Sequence, residues 1–295
     1  MLKRLAALAV SVLLPLSPLS SAAQNPSGRP GYVIGYINGL STDPIGAQDG
    51  VDALSVIYGT QYNNQPVNYT LFYAPTDGLM QDVVNAFAQR VASSPGLTDR
   101  WELIWDTLDG GGGAISDLAI AENPSLNSLV SDLKTTFLNG VSSNVKNLNS
   151  NKEFQPAVDQ FASALTTYYT QQKKTLVVAH SQGNVYLNAA YDAVKPQLKT
   201  DSLRTVEVAT PTATVRDPQG RYVTSTTDLV IQALALTLGN VEPANTDGPI
   251  LAALSSDTGY GHKFVDIYMN PNYKLLPAIK ALADSNLQTL QSPTP

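Results

Sequence analysis

Along the chain, short runs of apolar residues alternate with stretches in which apolar residues return every three or four positions. Tyr32 to Ile37 and Val67 to Tyr73 are β-branched and aromatic runs bounded by turn residues, and they predict strands. A helix is expected near Ala47 to Tyr58. In "TDGLMQDVVNAFAQRVASS", Leu79, Val83, Phe87 and Val91 fall four apart, an amphipathic helix with Thr76 or Asp77 as its cap. Leu126, Leu129, Val130, Leu133, Phe137, Val141 and Val145 keep helical spacing, as do Phe154, Val158, Phe161, Leu165 and Tyr168, with Pro156 suited to a first turn. Leu176 to Ala179 then predicts a buried strand, and Val185, Leu187, Ala190 and Tyr191 a helix directly after it. "RTVEVAT" reads as a strand, "GRYVTSTTDLVIQALAL" as a strand and a helix, and "FVDIYM" as a helix. Strands alternating with helices predict an α/β chain with a mostly parallel sheet covered by helices on both faces.

Composition narrows this picture. The 295 residues are 43% hydrophobic and 14% charged, a globular balance that excludes disorder and coiled coil as the main state. "MLKRLAALAVSVLLPLSPLSSAAQ" has Lys3 and Arg4, an apolar stretch from Leu5 to Leu16, and the small residues Ser21-Ala22-Ala23. It predicts a signal peptide over 1–23 and a protein that is secreted or periplasmic, without stable membrane insertion after cleavage. Loss of that segment takes two cations and no acid from a net charge of −6, which leaves −8. An acidic chain is a poor partner for nucleic acid, which needs clustered Lys and Arg. There is no cysteine, so disulfides and thiol catalysis are excluded, and with two histidines a His-rich metal site is not expected. The body of the chain, 24–288, reads as one domain; the helical pattern at about 108–150, around and beyond the glycine run Gly110 to Gly113, reads as a helical insertion, with ordinary core helices as the alternative. Residues 289–295 read as a frayed tail.

The candidate chemistry lies in "TLVVAHSQGNVYLNAAY", where Ser181 sits at the junction of a predicted strand and helix, flanked by the small residues Ala179 and Gly183. The pattern small-x-Ser-x-Gly between strand and helix resembles the nucleophile elbow of the α/β-hydrolase superfamily, with Ala179 in place of the usual first glycine, His180 before the serine and Gln182 after it. The resemblance covers most of the chain as an order of elements.

It implies a serine nucleophile, Ser181, that needs a base. His180 adjoins the serine and would point elsewhere, which leaves His262, on the glycine-marked loop "GYGHK" late in the chain. The superfamily order Ser, acid, His implies a carboxylate between them. Asp228 ranks first because it stands just past "YVTST", with Asp217 and Asp257 behind it; the competing role of Asp228 is to cap the helix that starts at Leu229. The resemblance also implies an oxyanion hole from the backbone N–H of Gln182 and one from "YINGL", assigned to Leu40 with Gly39 as alternative. No clear last core strand precedes His262. The expected activity is cleavage of a small-molecule or lipid carboxylic ester, lipase- or esterase-like, with no metal or organic cofactor. Amide or thioester hydrolysis and a non-catalytic binding protein are the alternatives.

Overall fold

The computed structural model describes residues 30–39, 42–75, 124, 127–250 and 261–293. The expected signal peptide, the expected helix around Leu79 to Val91, the glycine run, Leu40 and Asp257 lie outside the described residues. Six strands form one sheet: β1 (Gly31–Ile37), β2 (Gln61–Tyr62), β3 (Gln65–Phe72), β4 (Lys173–His180), β5 (Leu203–Val208) and β6 (Arg221–Val223), in the order β2-β3-β1-β4-β5-β6. All neighbours are parallel except the short β2–β3 pair.

The helices are α1 (Pro44–Tyr58), α2 (Asn127–Asn147), α3 (Phe154–Thr170), α4 (Gly183–Val194), α5 (Leu229–Leu238) and α6 (Leu275–Thr289). Alternation along the strands sorts the core into two layers. On one face Tyr32, Ile34, Tyr36, Leu176, Val178, Val206 and Val208 pack with α1, α5 and α6 through Val51, Leu54, Ile231, Leu234, Leu275, Ile279 and Leu287. On the other, Ile37, Val177, Ala179 and Leu203 pack with α3 and α4 through Phe161, Leu165, Leu187 and Ala190. Central strands buried on both faces explain why Leu176 to Ala179 read as a continuous apolar run rather than an alternating one. Each such Val, Leu or Ile contributes about 1.5–3 kcal/mol by leaving water.

The observed α1 begins three residues earlier than Ala47, because Asp43 accepts the Gly46 N–H at 2.7 Å and Pro44 fits the first turn. Of the expected insertion, α2 is described, and it leans on α5. Three features were not expected. β2 and β3 form a tight hairpin, with Asn63 and Asn64 at positive φ. The segment Phe264–Tyr268 is π-helical, with the Met269 N–H reaching the Phe264 carbonyl at 2.9 Å. The C-terminal end is not a frayed tail as far as residue 293: Thr289 closes α6, Leu290 is buried in the first core layer, and the Gln291 N–H donates to the Asp201 carbonyl at 2.9 Å. Among the described residues no helix is long and apolar enough to cross a membrane.

The strand order reverses between β1 and β4. The chain leaves β1 toward β3 on one side and leaves β4 toward β5 on the other. Loops diverge at such a point, and a crevice opens at the carboxyl ends of the two strands. Ser181 follows β4 there and Gly39 follows β1.

Candidate active site

Ser181 has φ of 53°, a left-handed conformation that a residue with a Cβ rarely adopts. The surroundings over-determine it. The Ser181 N–H still bonds the Val208 carbonyl at 2.9 Å, as a continuation of β4 pairing with β5. On the other side of the turn, the Asn184 carboxamide donates to the Ser181 and Val208 carbonyls, each at 2.9 Å. Gly183 lets the first turn of α4 press on the end of β1: a Cβ there would stand 2.6 Å from the Asn38 carbonyl oxygen and 2.8 Å from that of Ile37. Ala179 is fully buried in the layer beneath α4.

Around this turn the structure brings together three of the residues singled out by sequence. The His262 Nε2 lies 2.8 Å from Ser181 Oγ, and His262 Nδ1 lies 2.8 Å from Asp228 Oδ2. Asp228 is fully buried, and the His262 side chain is partly buried, 13% exposed. The helix cap and a contact with His262 do not compete at Asp228, because each takes its own oxygen. Oδ1 caps α5 by accepting the Ile231 N–H at 3.0 Å, which leaves Oδ2 for the histidine. The loop that carries Asp228 is clamped by the segment near Thr246. Asn245 and Thr246 N–H groups donate to the Thr224 carbonyl, and Ser225 forms a single parallel bridge with Thr246. Among the described residues that isolated bridge is the only β pairing of the stretch between Asp228 and His262, and no strand lies there.

Asp217 is not part of this group. Its buried carboxylate accepts the Thr205 and Gln219 N–H groups and faces the Arg204 guanidinium at 3.8 Å, at the opposite end of β5. Its role is to hold a buried cation and a turn.

The expected oxyanion hole is partly described. The Gln182 N–H donates to no backbone acceptor among the described residues, as befits the open first turn of a helix. Gly39 lies against the serine: a Cβ there would be 2.9 Å from Ser181 Cβ and 2.5 Å from His180 Nδ1. Asn38, fully buried, fixes this segment by a two-bond clip to the end of β3. Its Oδ1 accepts the Ala74 N–H at 2.8 Å and its Nδ2 donates to the Ala74 carbonyl at 3.0 Å.

No family model, no curated protein and no solved structure matches this chain. The chemistry of the site therefore rests on its geometry.

Two participants escaped the sequence reading. His180 does point away from Ser181 Oγ, as expected, but it is not a bystander. Its Nε2 lies 2.8 Å from the His262 carbonyl oxygen, and its ring meets that of His262 at a tilt of 41°, with 4.7 Å between centroids. Burial, helped by the neighbouring His262, holds its basicity well below the usual range, so the ring is neutral. A carbonyl partner requires that Nε2 carry the proton. His180 thus tethers the backbone of His262. Tyr268 is the second: its hydroxyl donates to Asp228 Oδ2 at 2.7 Å and accepts the Ser225 N–H at 3.1 Å. The adjacency of His180 and Ser181 was a usable signal for the first. Nothing in the local pattern marked the second.

Such a constellation makes an alcohol nucleophilic. In such an arrangement an imidazole can take the Oγ proton as the oxygen attacks, and a buried carboxylate can hold the ring and balance the imidazolium charge.

Proposed function

We propose that the protein is an exported serine hydrolase with an α/β-hydrolase fold that cleaves carboxylic esters through an acyl-enzyme. Ser181 Oγ attacks the ester carbonyl while His262 Nε2 takes its proton. The tetrahedral oxyanion is received by the Gln182 N–H and by a second N–H from the segment at Gly39 and Leu40. Collapse expels the alcohol, which leaves with the proton from His262. Water then attacks the acyl-enzyme, gives its proton to His262, and the acid departs as Ser181 recovers its hydrogen.

The observation that carries this reading is the unbroken relay Ser181–His262–Asp228, with both bonds at 2.8 Å, on a serine held at positive φ where the strand order reverses. The order of the three along the chain agrees with the superfamily, and so does the strand–turn–helix context of the serine. Export rests on the N-terminal pattern.

The test is release of nitrophenol from esters of short and long acyl chains, with amide and thioester analogues alongside. Ser181→Ala and His262→Ala should each abolish turnover with the fold intact, and a fluorophosphonate should label Ser181 alone. Turnover by a folded His262→Ala protein, or labelling at another serine, would remove the reading. A protein that cleaves amides or thioesters in preference to esters corrects the substrate class and keeps the triad.

A further inference from the structure

The acid of the triad is engaged by more than the histidine. Asp228 Oδ2 receives two side-chain donors, His262 Nδ1 at 2.8 Å and the Tyr268 hydroxyl at 2.7 Å, while Oδ1 takes the Ile231 N–H. Tyr268 is fully buried in the first core layer. Its hydroxyl has one proton, and the Ser225 N–H already points at its oxygen. That proton is therefore committed to Asp228. Burial, together with the Asp228 charge, raises the hydroxyl well above its ordinary range, so it stays a donor. The π-helical segment that follows His262 ends on Tyr268, so a short stretch of chain brings the base and this second donor to the same oxygen. The ring also meets His180 edge-on at 5.8 Å, so Tyr268 touches both ends of the arrangement that holds His262.

Resting on the reading of Ser181, His262 and Asp228 as a catalytic triad, we propose that Tyr268 is a positioning residue of that triad. Its hydroxyl fixes Oδ2 in line with His262 Nδ1 and withdraws charge from the oxygen the histidine uses. Two donors on one oxygen compete, so each bond is weaker than it would be alone, but the carboxylate cannot turn. Removing the hydroxyl has two opposed consequences. The His262–Asp228 bond strengthens electronically, and the carboxylate loses its anchor.

The proton on His262 Nδ1 reports the first consequence directly, as a downfield resonance in the proton NMR spectrum, identified by its loss in His262→Ala. Tyr268→Phe keeps the ring in the core and should move that resonance further downfield. It should lower kcat about tenfold, the size expected for one lost hydrogen bond to a charged group, with KM unchanged. A protein with 3-fluorotyrosine at position 268, a stronger donor of the same shape, should move the resonance upfield, and it serves should Tyr268→Phe fail to fold. Resonances that stay in place for both substitutions overturn the proposal, even if the melting temperature falls, because a merely structural tyrosine would lower stability without touching the histidine proton. Absence of any resonance that depends on His262 also overturns it. The NMR arm needs no turnover: a wild-type protein inert toward esters but showing both shifts refutes the ester reading and leaves the role of Tyr268 intact.

Discussion

Glu207 offers the sharpest test of the energetics behind the elbow. It lies next to the carboxyl end of β5, fully buried, beside the Val208 carbonyl that Asn184 grips. Its Oε2 accepts the Thr210 hydroxyl at 2.7 Å and the Thr212 hydroxyl at 3.2 Å, and Asn188 adds a further donor. Its Oε1 and the Asn184 Oδ1 find no partner among the described residues. Burial pushes the carboxyl up to about 7 from an ordinary 4.5, and the hydroxyl and amide donors pull only partly the other way. A raised acid holds its proton longer in the folded state than in the unfolded one. Its contribution to stability is therefore fully present below about pH 4.5 and is lost as pH rises to about 7. The separation of about 2.5 pH units, at about 1.4 kcal/mol per unit, sets the loss at about 3 kcal/mol by pH 8. Glu207→Gln keeps the acceptor for the two threonines and removes the titration. With a urea slope of about 3 kcal/mol per molar, the midpoint of the native protein should fall between pH 5 and pH 8 by about 1 M more than that of the variant. Other titrating groups cancel in that difference. Parallel curves of midpoint against pH for the two proteins would refute the argument and show that Glu207 is solvated or ionised in the fold.

Two further outcomes separate the roles of the acids and the glycines. Asp228→Asn should lower turnover by about 10⁴, because the wrong tautomer of His262 is held, whereas Asp217→Asn should lower the melting temperature by loosening Arg204 and leave turnover per folded molecule near normal. The two variants are compared by steady-state kinetics and thermal melts. Gly183→Ala drives a Cβ into the carbonyls of Ile37 and Asn38, backbone on both sides, and should cost about 1–3 kcal/mol in urea unfolding together with a fall in kcat as the elbow and the Gly39 segment are forced apart. Full activity and stability in that variant would show that the ends of β1 and α4 do not meet as closely as described.

The sequence by itself determined the elements whose periodicity is complete within a few residues. Leu176 to Ala179 is a short, β-branched apolar run of the length of a strand buried on both faces, and Phe154 to Tyr168 carries the three-to-four-residue repeat of a helix with one buried side. The same local logic found Ser181, since a strand, a tight turn and a helix are all written in neighbouring residues. His262 followed because the chain has only one other histidine. Elements without such a signature were missed or misread. The short β2 depends on pairing with β3. The C-terminal residues owe their order to a core pocket for Leu290 and a carbonyl at Asp201, neither visible in the tail itself.

What only the tertiary structure decided is which of several equivalent groups meet. Asp217 and Asp228 are both buried aspartates in loops that follow strand-like residues. One faces Arg204 and the other His262, and that choice is made by which end of the sheet each loop occupies. Whether Asp228 could cap a helix and hold a histidine together depended on the direction of two oxygens about one side chain. His180 and Tyr268 enter the site through contacts across 82 and 40 residues of chain, to the His262 carbonyl and to Asp228. Hydrogen bonds at such separation leave no periodicity behind them. They follow from where the sheet sets its strand ends, and the sheet is built by apolar positions that carry no information about the polar groups it brings together.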